Sequence, residues 1–222
     1  MKHDIQLWVF NSLIGNLKGF KLIVNQFGWV KGAAIVLKMQ LNMLLRNPFY
    51  SFNLRREPLT WKERLSQKQI LPAFILYDTL ISKGYSIDES VLAVENVVTG
   101  VANEFLKFTV PAIKQQDIQS KGLADRKKIF TKIVERFPNT FGTLNVDENE
   151  SYHFTVSTCL FAAYCKQLGY DNLGPIFCKA DKMYFDQHQP NVKFNRVDAL
   201  AMNGKPCDFS FDLVEHNIIV KG

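Results

Sequence analysis

The chain has 222 residues, 47% hydrophobic and 22% charged, with a formal net charge of +6, a composition ordinary for a soluble globular protein. No apolar run approaches the ~20 residues that a membrane-spanning helix needs. Lys18, Lys21, Lys31 and Lys38 interrupt the beginning in a way no signal peptide tolerates, so a cytoplasmic protein is expected.

The positive charge is concentrated early. Lys2, Lys18, Lys21, Lys31, Lys38, Arg46, Arg55 and Arg56 face only Asp4 and Glu57 in the first quarter of the chain. These charges are single and spaced among apolar residues, so they read as the solvated rim of docking helices and not as a nucleic-acid face. Residues 5–46 are expected to form two helices. In the second, Trp29 to Leu45, Lys31, Lys38 and Asn42 make one polar stripe, and the wide apolar remainder requires cover from the core or from a second copy of the chain. Asn47-Pro48 ends that helix, and residues 48–60 read as an extended loop with Arg55-Arg56-Glu57 near its tip.

A third helix is expected from Ser66 to Ser82, with Pro72 in its first turns. A fourth begins at the capping box Ser86-Ile87-Asp88-Glu89 and runs to about Phe105, with Val91, Val94, Val98 and Val101 inward and Leu92 close beside them. A fifth spans Ala124 to Phe137, with Phe130 and Ile133 inward. From residue 147 the period changes: Tyr152, Phe154 and Val156 alternate with polar residues as a strand does. A short helix from Cys159 to Leu168 and another opened by Gly174-Pro175 follow. Val192, Phe194 and Arg196, and then Cys207, Phe209, Phe211 and Leu213, mark two strands with Asn203-Gly204 between them as a hairpin turn. The expected fold class is α+β: a helical N-terminal half (residues 1–145) packed on a C-terminal unit (146–222) with a small antiparallel sheet, within one folding unit.

Cys159, Cys165, Cys178 and Cys207 are expected to be free thiols in a reducing compartment. With no Cys-x-x-Cys or His-x-x-x-His, a zinc ribbon or finger is not expected; no cofactor is expected, the alternative being a soft metal held by Cys159, Cys178, Cys207 and Asp181. Cys178 and Asp181 lie one turn apart near a helix start, where free amides favour a thiolate and the carboxyl group is placed to move a proton. Alternation turns Cys207 inward, Cys159 stands at a strand-to-helix junction, and Cys165 belongs to packing. His153, on the polar side of its strand, is a candidate for the pocket. The plain alternative is a buried structural cysteine beside an exposed aspartate.

Taken in order, Phe154-x-Val156-x-x-Cys159, Leu168-Gly169, Leu173-Gly174-Pro175-x-x-Cys178-x-x-Asp181, Phe194-x-Arg196 and Gly204-x-x-Cys207-Asp208-Phe209-x-Phe211 resemble the L-2-aminothiazoline-4-carboxylate hydrolase-like family. The likeness is close over the last third and general from Tyr50 to Arg136. Ala199-Leu200 stands where such proteins often have Thr-Leu. The resemblance implies a small-molecule substrate and hydrolysis of a non-peptide carbon–nitrogen bond in a cyclic amidine, opening a thiazoline ring toward a carbamoyl-cysteine. It implies a catalytic set of Cys178, or a water in its place, with Asp181 and Cys207, and Cys159 and Arg196 contacting substrate, Arg196 gripping its carboxylate; His153 joins the substrate-contacting set on its strand position alone. A more distant likeness to vinyl-reductase-type sensor domains, which close with a similar hairpin, implies a binding module without catalysis.

Overall fold

The computed structural model describes residues 14–54, 58–148 and 150–214. Helix α1 (Gly15–Phe27) turns at Gly28, whose φ of +78° is open to glycine, into α2 (Trp29–Leu45). The two helices cross so closely that a Cβ on Gly32 would stand 2.7 Å from the Val24 Cα. The part of the first expected helix before residue 14 and the tip Arg55-Arg56-Glu57 lie outside the described residues.

α2 corrects the expected stripe. It packs on α4 (Trp61–Ile81) through Ile35, Met39 and Asn42, and the Asn42 Nδ2 donates to the Thr79 Oγ1 at 3.0 Å inside the core. The stripe is polar only at Lys31 and Lys38, while Trp29, Val30, Leu37, Leu41, Leu44 and Leu45 are all more than half exposed. Residues 48–60 are not wholly extended either. Phe49–Asn53 form a short helix, α3, because Phe49 is buried against Phe74 and Tyr164, with ring centroids 6.1 and 5.2 Å away.

α4 begins before Ser66, since Thr60 and Glu63 make a capping box at its true start. Pro72 therefore lies in mid-helix, where it denies the Lys68 carbonyl its usual amide. α5 (Ile87–Thr109) is capped by Ser86 and Glu89 as expected, and touches α1, α4 and α9 (Gly174–His188). Ala93, Val94 and Val97 are its buried residues along this face; Leu92, expected beside them, is 59% exposed. The short α6 (Gln115–Gln119) and then α7 (Leu123–Val134) follow, the latter burying Phe130 and Ile133.

The sheet is antiparallel in the order β1-β2-β4-β3, with β1 Thr140–Val146, β2 Tyr152–Cys159, β3 Val192–Arg196 and β4 Cys207–Leu213. Edge strand β1 was not expected. It has little apolar alternation, and its register shifts at Phe141/Gly142, where a Cβ on Gly142 would meet the Thr155 carbonyl oxygen. β3 and β4 pair as expected, but residues 197–206 form a loop and not a two-residue turn. Asn203 organises it, its Oδ1 accepting from the amides of Ala199 and Lys205.

Tyr152, Phe154, Phe194, Phe209 and Phe211 face inward from the sheet onto α7 and α9. A second apolar cluster, around Ile35, Phe74, Val94 and Tyr164, fills the helical half. α8 (Leu160–Leu168), which leaves β2 directly and ends at left-handed Gly169, and α9 join the two.

Candidate active site

Three elements deliver the chemistry. β2 ends at Cys159, which is also the residue before α8 begins; α9 presents Cys178 and Asp181 one turn apart; β4 begins with Cys207 on its inward face. Cys159, Cys178, Asp181 and Cys207 border one cavity of ≈ 410 Å³ that runs from the sheet into the helical half. Cys165 is buried in the helical cluster and is absent from that wall.

Burial decides the electrostatics. It raises Asp181 to about 7 despite the Arg196 guanidinium, which pulls the other way. The 23% of the Asp181 side chain that stays accessible borders the cavity. Cys178 is pushed up to about 12, again mainly by burial, with Arg196 lowering it and Asp181 adding repulsion. The expected thiolate at Cys178 is thus reversed. Its sulfur lies one turn into α9, past the free amides of the first turn, and desolvation outweighs what remains of the helix dipole. Burial also raises Cys159 and Cys207. In Cys159 the amides of Phe161 and Ala162 and the Asn139 side chain, 3.7 Å away, oppose that rise. The Leu200 amide, 3.3 Å from the Cys207 sulfur, does the same for Cys207.

A family model for L-2-amino-thiazoline-4-carboxylic acid hydrolase matches residues 63–211. The chain belongs to this family. No curated protein and no solved structure matches. In this member of the thiazoline-carboxylate hydrolase family, the match contains Cys159, Cys178, Asp181, Arg196 and Cys207. It begins after α1, α2 and α3, two of which, α1 and α2, wall the far end of the cavity.

Two expected site residues are placed elsewhere. Arg196 stands behind Asp181 and not on the cavity wall: its Nη1 is 3.7 Å from the Asp181 Oδ2, and its Nη2 donates to the Cys178 carbonyl at 3.0 Å. Anchored there, 5.6 Å from the Phe209 ring centre and with 9% of its side chain exposed, it stands behind the acid. His153 lies on the other face of the sheet, its Nε2 3.2 Å from the Asp147 Oδ2 and its Nδ1 3.9 Å from the Asp208 Oδ1. The alternation that buries Tyr152 and Phe154 sends it outward.

Asn139 and Arg136 are wall residues that the sequence did not mark as functional. Asn139 read only as the end of a helix, and its approach to Cys159 depends on the unexpected β1 pairing with β2. Among the described residues, no group of three or more His, Cys, Asp or Glu is arranged to hold a metal ion, and no helix is long and apolar enough to cross a membrane.

Proposed function

We propose that this chain hydrolyses a small cyclic amidine of the 2-aminothiazoline carboxylate kind, by thiol and carboxyl chemistry. The observation that carries the reading is the placing of Asp181 on the wall of one cavity among three thiols, where burial raises its carboxyl group to about 7. An acid with that pKa gives and takes a proton with comparable ease at neutral pH.

Protonated Asp181 delivers its proton to the ring nitrogen, which makes the carbon between nitrogen and sulfur strongly electrophilic. Water adds to that carbon, and the Asp181 carboxylate takes the proton that water loses. With Cys178 held neutral, water is a better supplied nucleophile than a thiolate, and Cys178 and Cys207 flank and orient the ring. As water adds, the positive charge of the protonated amidine is quenched and no anion forms at that carbon; Cys159, held among the Phe161 and Ala162 amides and Asn139, lines the pocket.

The tetrahedral carbon then holds a hydroxyl, the ring sulfur and two nitrogens. Expelling the sulfur, protonated as it leaves, yields an N-carbamoyl-cysteine; expelling the ring nitrogen yields the S-carbamoyl isomer. Sulfur is the better leaving group, so the N-carbamoyl product is expected, with the ring carbon–sulfur bond broken and not the carbon–nitrogen bond that the resemblance implies, and chromatography of the product distinguishes the two. Asp181→Asn should lower turnover of 2-aminothiazoline-4-carboxylate by about 10²–10⁴-fold while the circular dichroism spectrum is kept. Near-normal turnover in that variant would end the proposal.

A second reading, a binding module without catalysis, draws support from the thiols themselves, all of which burial holds toward the neutral form. Under it, no cyclic amidine is consumed, yet amidines still bind and Asp181→Asn weakens them.

A further inference from the structure

We propose that the substrate carries a long apolar tail, with the cyclic-amidine head at the thiol and Asp181 end and an alkyl or acyl chain lying between α1, α2, α4 and α5. The head rests on the function proposed above; the tail rests on the cavity alone.

At ≈ 410 Å³ the cavity falls in the roughly 300–1,000 Å³ range of sites for drug-sized ligands, more than one five-membered ring with two substituents fills. Its chemistry changes along its length. Away from the thiols, the wall is made by Ile23 of α1, Met39 of α2, Leu76 of α4, and Val97 and Val101 of α5. Polar side chains return where Asn16, Gln40, Lys68 and Gln69 border it, and Arg136 adds one charge to the wall. A polar end, an apolar passage and an exit to solvent match an amphipathic molecule. A small, doubly polar ring set against the apolar stretch would lose its hydrogen bonds to water and gain none. Methionine, present in the wall at Met39 and Met43, is a side chain that adapts to chains of varied shape.

The probes are n-alkylamidines of increasing length, acetamidine to dodecanamidine, titrated calorimetrically into the unmodified chain at pH 8, where Asp181 is ionised. Affinity should rise by up to about fourfold per methylene, the factor equivalent to ~0.8 kcal/mol, and level off once the chain reaches solvent. Gly19→Leu narrows the passage from α1, where a Cβ meets the Val101 Cγ2 at an ordinary 3.8 Å, and an unchanged circular dichroism spectrum and acetamidine affinity show that the fold and the head site are kept. The substitution should bring the plateau to shorter chains and weaken dodecanamidine at least tenfold. Affinity that ignores chain length, or a Gly19→Leu protein that binds dodecanamidine as before, overturns the tail.

The two proposals fail separately. Turnover of 2-aminothiazoline-4-carboxylate with amidine binding indifferent to length removes the tail and leaves the hydrolase. Length-dependent binding with no cyclic amidine consumed removes the hydrolase and leaves the tail.

Discussion

The sheet half and the helical half bury apolar residues by different rules. In β2, β3 and β4 each strand offers one apolar face, and all three place it on the same core: Tyr152 stacks on Phe130 at 4.1 Å and Phe194 on Phe185 at 4.8 Å. α2 has apolar residues nearly all round, and only the narrow face of Ile35, Met39 and Asn42 meets α4, so a row of leucines is left outside. A period-two pattern names its buried face, whereas a helix apolar on most sides leaves the choice to its neighbours. The polar residue Asn42 inside and Leu37 outside are the result.

Substitutions test that difference most strongly in the sheet. Phe211→Ala, at a fully buried position, should cost about 3–5 kcal/mol in urea unfolding; a cost near zero would mean that the sheet core is not where the stability lies. Asn42→Leu should cost about 1–3 kcal/mol, because Thr79 keeps a buried hydroxyl without its donor. If Asn42→Leu were stabilising, α2 would not seat on α4 by that face.

The site lies where the halves meet, and pH reads it. The folded pKa of Asp181, about 7, stands above the 3.8 of an ordinary aspartate. Between those values the folded chain holds a proton that the unfolded chain has lost, so Asp181 makes stability fall as pH rises, by at most about 1.4 kcal/mol per unit. Asp181→Asn should flatten that stretch of the stability–pH curve, and an unchanged slope would place the ionisation elsewhere. Iodoacetamide at pH 8 should label Cys178 at least about a hundredfold more slowly in the folded than in the urea-unfolded chain, because its thiol is held near 12. Fast labelling would restore the thiolate. The smallest effect belongs to the uncovered face: Leu44→Gln should stay within about 0.5 kcal/mol of the unsubstituted chain, and a larger loss would show that something covers it.

Much of the site was legible. Spacing along α9 paired Cys178 with Asp181, and alternation turned Cys207 inward, because both are local consequences of backbone geometry. The protonation of Cys178 was not legible, since a dipole is visible in a helix start but desolvation depends on what closes over the sulfur. Arg196 was legible as a cation near the acid, though not as one facing away from the cavity, because its Nη2 is held by a carbonyl eighteen residues back.

Alone, the order of residues determined an α+β chain with its caps at Ser86 and Gly169, the inward faces of three strands, and the one-turn spacing of Cys178 and Asp181. These follow from hydrogen bonds and periods that span a few residues. Tertiary structure decided which side of α2 is buried, that Thr140–Val146 becomes an edge strand, that His153 leaves the site, and how far the cavity extends beyond the thiols. Each of these depends on which distant surface excludes water from a group, and no local pattern encodes that.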